Sequence, residues 1–214
     1  PSSAASDVYK RQVYYIGNLE IARLEKGNVS FYNIDREEIS KEITEIKWDA
    51  EAAEKSGFEH FMMKEIYEQP AAVRDTISPR LKDGQIDLSE LALDEAAIQN
   101  VRRLYIIGCG SAYHVGMAAR YVFESLARIP VEVDVASEFR YRNPVLESDS
   151  LAMVISQSGE TADTLAALRL CKERGVRTIG IVNVVGSSIA READATMYTW
   201  AGPEISVATT KAYS

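Results

Sequence analysis

The run Ser156-Gln-Ser-Gly-Glu-Thr161 carries hydroxyls at its first, third and sixth positions, around a glycine. A hydroxyl can donate to an oxyanion, and Gly159 frees the backbone to bend neighbouring N–H groups toward the same point. The run follows an aliphatic stretch and opens a helical one, so unpaired N–H groups and the positive end of the helix dipole aim at it. The chemistry those residues can do is capture of a tetrahedral anion such as phosphate. Ser and Thr are also favoured at helix N-termini with no ligand present, but one hydroxyl suffices for a cap and here there are three. Glu160 would repel phosphate if aimed inward, so it is expected to face outward or to serve as a cap partner.

A second loop of this kind is Ile107-Gly-Cys-Gly-Ser-Ala-Tyr113. Gly108 and Gly110 allow a tight turn from strand to helix and a close approach of backbone to ligand. Three readings stay open on the residues alone: a ligand loop, a turn that uses glycine only for sterics, and a dinucleotide turn with Glu132 and Asp134 as ribose partners. Against the last, the third glycine position of G-x-G-x-x-G is Tyr113. Cys109 has no electropositive partner marked beside it in sequence to activate it and is read as a small residue in a crowded turn. His114, with no second ligand at i+3 or i+4, reads as a surface or packing residue. Arg140 and Arg142 either face the ligand edge or form a solvated ion-pair cluster with neighbours such as Glu138.

Both loops require strands that end at one edge. Leu104–Ile107, Val131–Val135, Leu151–Ile155, Thr178–Val182 and Ala195–Trp200 read as strands, with helices over Ser111–Ala127 and Thr161–Arg174. Near-continuous aliphatic strands alternating with helices specify an α/β fold with a parallel sheet covered on both faces. Ligands of such sheets sit beyond the carboxyl ends of the strands. Upstream, residues 13–34 alternate aliphatic and aromatic residues around Gly17-Asn18 and Lys26-Gly27-Asn28, the pattern of short strands joined by turns. Ser56-Gly-Phe-Glu59 is a candidate capping box for a helix to Glu68, and Pro70 suits the first turn of a second helix ending near Leu81, stopped by Lys82-Asp83-Gly84. A short helical patch is expected near Glu90–Gln99, and Val207–Ser214 resembles the first turns of a helix.

The composition narrows the function classes. The 214 residues, 46% hydrophobic and 26% charged, suit one sizeable domain plus pieces of another. A net charge of -8 argues against a general nucleic-acid partner, so an anionic ligand must be held by local donors. Residues 35–60 hold 9 Asp or Glu against 4 Lys or Arg and read as a solvated connector. Two cysteines and two histidines give neither a disulfide framework nor a zinc set, so no metal is expected and a reducing cytoplasm fits. No apolar run has the length of a membrane span. Residues 1–12 have no signal-peptide pattern and read as a non-native or disordered leader.

Ser156–Arg169 (SQSGETADTLAALR), Ser137–Arg142 (SEFRYR), Lys64–Pro70 (KEIYEQP) and Glu204–Lys211 (EISVATTK) together resemble the isomerising glutamine:fructose-6-phosphate aminotransferases, over residues 13–214. The resemblance implies an enzyme family of amino-sugar biosynthesis that makes glucosamine 6-phosphate from fructose 6-phosphate and glutamine, with no cofactor. It implies that residues 13–40 are the end of a glutaminase domain, 41–100 a linker with leading helices, and 101–214 a first sugar-isomerase (SIS) domain, a parallel-sheet three-layer α/β/α sandwich of flavodoxin-like type, cut short at its end. Carried over by motif, the phosphate loop falls on Ser156, Gln157, Ser158 and Thr161, the sugar-contacting glycine loop on Gly110 and Ser111, and a backbone contact on Val207. Where the family usually has a second hydroxyl residue, this chain has Ala112. The implied catalytic carboxylate, ring-opening histidine, lysine and cysteine nucleophile belong to parts of the family outside these residues, so no catalytic residue is expected here. Glutamine would act only through the glutaminase domain, and family members assemble through their isomerase domains, implying a homodimer. A sugar-phosphate sensor or regulatory module is the alternative from another functional class.

Overall fold

The computed structural model describes residues 12–45, 54–91 and 95–214. Nearly all of the expected leader and residues 46–53 of the connector lie outside the described residues. The chain divides between Ser56 and Gly57 into two units.

In the first unit, β1 (Gln12–Val13), β2 (Ile21–Glu25), β3 (Asn28–Tyr32), β4 (Glu38–Ile39) and β5 (Thr44–Glu45) pair only antiparallel. β2 and β3 form a hairpin with Glu25 opposite Asn28, which puts the two-residue turn on Lys26-Gly27, where the sequence places it. β4 lies on the other side of β3, and β1 pairs with β5. The Phe31 ring is buried, with its centroid 4.8 Å from that of Tyr14.

The second unit opens with α1 (Phe61–Ile77), one helix of 17 residues rather than the two expected to meet at Pro70. A proline in a helix removes the N–H that would bond the carbonyl four residues earlier, here that of Ile66. The side-chain amide of Gln69 donates to the Ile66 carbonyl instead, at 3.1 Å, so the helix continues. The expected capping box does not form. Ser56 has a φ of 50° and its hydroxyl faces the Glu54 carbonyl, while the helix starts after His60 without a side-chain cap. Beyond α1 the chain makes one 3-10 turn (Ser78–Arg80) and a small hairpin of β6 (Leu81–Lys82) and β7 (Gln85–Ile86) around Asp83-Gly84. The patch near Glu90–Gln99 is a 3-10 turn (Ser89–Leu91) followed by α2 (Glu95–Gln99).

The rest is β8 (Arg103–Gly108), α3 (Ser111–Leu126), β9 (Val131–Val135), α4 (Ala136–Tyr141), β10 (Ser150–Ser156), α5 (Ala162–Glu173), β11 (Arg177–Val182), α6 (Ser188–Glu192) and β12 (Ala195–Tyr198). The five strands form one all-parallel sheet in the order β12-β11-β10-β8-β9, which is 2-1-3-4-5 read from the other edge. This is the flavodoxin-like order, in keeping with the fold type that the resemblance implies.

Side chains alternate across the sheet with period two. Leu104, Ile106, Leu151, Ile155 and Ile179 pack on one face against Ala112, Val115, Ala119 and Phe123 of α3. Tyr105, Ile107, Ala152 and Val154 pack on the other against Phe139 of α4, Ala167, Leu168 and Cys171 of α5, and Ile189 of α6. Each such aliphatic or aromatic side chain, once fully buried, contributes roughly 1.5–3 kcal/mol, which is what makes the sheet rigid enough to hold loops at its edge. After β12, residues 199–210 run without helix or strand to a single 3-10 turn at Lys211–Tyr213, not the longer helix anticipated there. Among the described residues no helix is long and apolar enough to cross a membrane.

Candidate functional site

Because β8 leads through α3 to β9 on one side and β10 leads through α5 to β11 on the other, the sheet has its topological switch point between β8 and β10. That is where open α/β sheets form a crevice. The two loops singled out by sequence leave these two strands. Gly108 and Ile155 are register partners at the carboxyl ends, so the glycine loop and the hydroxyl loop start side by side.

In the hydroxyl loop, Ser156 is 3% exposed and its Oγ accepts the Gly159 N–H at 3.1 Å while lying 2.9 Å from the Thr161 Oγ1. Ser158 Oγ accepts the Glu160 N–H at 3.2 Å. None of the three hydroxyls caps α5: its N-cap residue, Thr161, has no side-chain cap bond, though its carbonyl accepts the Leu165 N–H at 2.9 Å. The first N–H groups of a helix have no intrahelical partner, so α5 presents an uncapped N-terminus inside a ring of hydroxyls. Ser158, Thr161 and Gln157 are half-buried, whereas Ser156 lies underneath as a staple.

Gly159 has a φ of 66°, and a Cβ there would lie 2.0 Å from Ser187 Oγ. The position therefore requires glycine twice over, by conformation and by the approach of Ser187 just before α6. Its carbonyl accepts the Ile189 N–H at 3.0 Å, and Glu160 Oε1 accepts the Ser188 N–H at 2.7 Å. Glu160 is thus exposed and does serve as a cap partner, of α6 rather than of its own helix.

In the glycine loop, Gly110 has a φ of 55° and immediately precedes α3, whose first residue is Ser111. Both are exposed. His114, also exposed, donates from Nδ1 to the Gly110 carbonyl at 2.8 Å and stacks edge-on against Tyr113. Ala112 is buried against the sheet, on the core side of α3. Cys109 is half-buried and its Sγ lies 3.8 Å from the Thr164 hydroxyl, which ties the glycine loop to α5. Cys171 is fully buried on α5, and burial pushes its thiol up to about 12.

The carboxylates that a dinucleotide reading would need are engaged elsewhere. Arg142 binds both, Glu132 through Nη2 and Asp134 through Nε at 2.6 Å, and Arg140 pairs with Asp163 at 3.2 Å. These arginines form the ion-pair cluster rather than a ligand clamp.

Val207 is fully exposed in the segment after β12. Glu65 of α1 fastens this segment: its Oε1 accepts the N–H groups of Ile205 at 2.7 Å and Ser206 at 3.1 Å, although the carboxylate is only 2% exposed. Lys211, equally buried, donates to Glu68 of α1 at 2.7 Å. Burial raises the Glu204 carboxyl above its ordinary pKa, against the Thr210 N–H bond that lowers it, and the nearby Glu65 charge adds to the rise. Thr209, Thr210 and Tyr213 line an open groove of about 440 Å³ with Ser111, His114, Val115 and Ala118 of α3. Among the described residues no group of three or more His, Cys, Asp or Glu is placed to hold a metal ion.

A family model described as "SIS domain" matches residues 97–214. The chain belongs to the SIS domain family. Over 98% of its length this SIS chain is also 55% identical to the isomerising glutamine–fructose-6-phosphate aminotransferase of Clostridium acetobutylicum, and over 99% it is 45% identical to that of Methanosarcina acetivorans. It spans about a third of those relatives, 36% and 35% of their lengths. Among solved structures, the C-terminal domain of glucosamine-fructose-6-phosphate aminotransferase from Francisella tularensis matches 75% of this chain and 45% of its own, at 46% identity and a TM-score of 0.70. A glucosamine-6-phosphate deaminase from Thermotoga maritima matches 72% of this chain and 44% of its own, at 25% identity and a TM-score of 0.58.

The SIS match begins after α1, yet α1 supplies the buried Glu65 and the half-buried Glu68 that hold the last segment of the SIS domain. Sequence reasoning did not single out Asn183 or Ser187, and it took in Glu65 only as part of the Lys64–Pro70 motif, with no role. Their partners lie far away in sequence or on irregular backbone, and no periodicity or spacing marks such contacts.

Proposed function

We propose that this chain is the phosphosugar-binding first SIS domain, with flanking segments, of an isomerising glutamine:fructose-6-phosphate aminotransferase, an enzyme that transfers nitrogen from glutamine to fructose 6-phosphate. The observation that carries the reading is the uncapped N-terminus of α5 ringed by Ser156, Ser158 and Thr161 at the switch point of the sheet. Ser158 and Thr161, with Gln157 and the α5 N–H groups, hold the phosphate, and Ser156 braces the loop from below. Gly110, Ser111 and the backbone of Val207 take the sugar end. The relatives' names supply the sugar, and the site supplies the anion chemistry.

In this reading residues 13–40 end a glutaminase domain and 101–214 form the SIS domain. The base that moves the proton between C1 and C2, the ring-opening group and the nitrogen source come from segments of the relatives that this chain does not span. The whole enzyme is a cytoplasmic homodimer that needs no cofactor, and glutamine acts only at the glutaminase domain. Calorimetric titration with fructose 6-phosphate, glucosamine 6-phosphate and NAD tests the reading: both sugar phosphates are expected to bind and NAD is not. Binding of NAD with neither sugar phosphate bound would overturn it.

A further inference from the structure

Asn183, the first residue after β11, makes four hydrogen bonds that join the hydroxyl loop to the segment after β12. Its main-chain N–H donates to the Gln157 carbonyl at 3.0 Å. Its side-chain Oδ1 accepts the Ala201 N–H at 2.9 Å and the Thr199 hydroxyl at 3.3 Å, while Nδ2 donates to the Gly202 carbonyl at 2.7 Å. These partners fix the orientation of the amide, since a backbone N–H needs an acceptor and a carbonyl needs a donor. Aspartate lacks the donor and serine lacks the reach for three partners.

The segment that Asn183 grips continues through Glu204, held by Thr210 N–H at 2.9 Å, to Thr209 and Thr210, which line the groove opposite Ser111. Together with Glu65, which holds Ile205 and Ser206, this side chain ties the segment that lines the groove to the strand end at which the hydroxyl loop is bonded. We propose that Asn183 is a positioning residue for sugar recognition: it holds the 199–210 segment in register with the hydroxyl loop, so that a ligand anchored by its phosphate meets the sugar-side wall at the right separation. The inference rests on the function proposed above and adds a residue that touches neither phosphate nor reacting atoms.

The bond from Asn183 to the hydroxyl loop is made by the main chain and survives any side-chain replacement, whereas all the bonds to the 199–210 segment come from the side chain. The consequence is a split that a merely structural role would not produce. In calorimetric titrations, wild type should bind fructose 6-phosphate more tightly than inorganic phosphate. Asn183→Ala should keep its affinity for inorganic phosphate within about twofold and lose about tenfold in affinity for fructose 6-phosphate, the size of one strong hydrogen bond's worth of fit. Asn183→Asp, which keeps the two accepted bonds and sets a carboxylate oxygen against the Gly202 carbonyl, should show the same split and serves if the alanine variant does not fold. Equal losses for both ligands, or an unchanged affinity for fructose 6-phosphate in a folded variant, would overturn the proposal. A wild-type chain with no preference for the sugar phosphate over inorganic phosphate would overturn the functional reading beneath it, a result separable from either of those.

Discussion

The hydroxyls of Ser156 and Thr161 lie 2.9 Å apart, closing the loop that precedes α5 across its mouth. Ser156 also accepts the Gly159 N–H, so the contact is a brace within the loop rather than a cap on the helix. Thr161, the more exposed partner, keeps donor and acceptor capacity toward the crevice.

From that arrangement, Thr161→Ala and Ser158→Ala should each weaken binding of glucosamine 6-phosphate about tenfold or more, since a hydrogen bond to a charged group contributes roughly 1.5–3 kcal/mol. Isothermal titration of each variant measures this. Equal affinities in wild type and Thr161→Ala would show that the hydroxyl serves the loop alone.

Gly159→Ala should destabilise the chain. Left-handed backbone at a residue with a Cβ costs about 1–3 kcal/mol by itself, and the new methyl meets Ser187 Oγ at 2.0 Å. Adding Ser187→Gly should relieve the clash and leave the backbone strain, so the double variant should melt between Gly159→Ala and wild type. Additive losses in this double-mutant cycle would show that the two residues are not coupled.

Cys109→Ser should leave both stability and sugar-phosphate binding close to wild type, because the thiol makes only a long contact with the Thr164 hydroxyl, which serine can replace. A large loss of binding, read by the same titration, would point to a chemical role for the thiol.

The fold could be read from sequence wherever burial on two faces imposed a run of aliphatic residues. β8, β10 and β11 lie within a residue or so of their expected limits, because a central parallel strand has no polar face to blur the pattern, and the edge strand β9 keeps its limits through the alternation of Val131, Val133 and Val135 with Glu132 and Asp134. α1 was obscured by Pro70, whose cost is offset by a single side-chain bond from Gln69 that no periodicity announces. The short helices α4 and α6 span less than two turns and carry too few residues for a 3.6-residue period to show. The same limit applies to the site. Ser156, Ser158 and Thr161 are contiguous and marked by type, whereas Asn183 and Glu65 act through backbone groups 18 and 140 residues away.

The half-buried Glu204 carries a raised pKa, so the folded chain holds this proton more tightly than the unfolded chain does. The stabilisation from this group is complete below the ordinary carboxylate range, about 4.3, and is lost as pH rises through the raised folded value. Glu204→Gln keeps an oxygen for the Thr210 N–H and removes the titration. Its melting temperature relative to wild type should therefore climb as pH is raised from about 4 to about 7. A difference that stays flat across that range would show that Glu204 does not titrate differently in the folded state.

The central claim is that the two loops at the switch point of the sheet hold a sugar phosphate between them, and amide NMR of the chain titrated with fructose 6-phosphate tests it most directly. Shifts are predicted at Ser158 to Thr164 and at Gly110 and Ser111, with inorganic phosphate moving only the first group. Shifts that leave both loops untouched, or that centre on Glu132, Asp134 and Arg142, would contradict it.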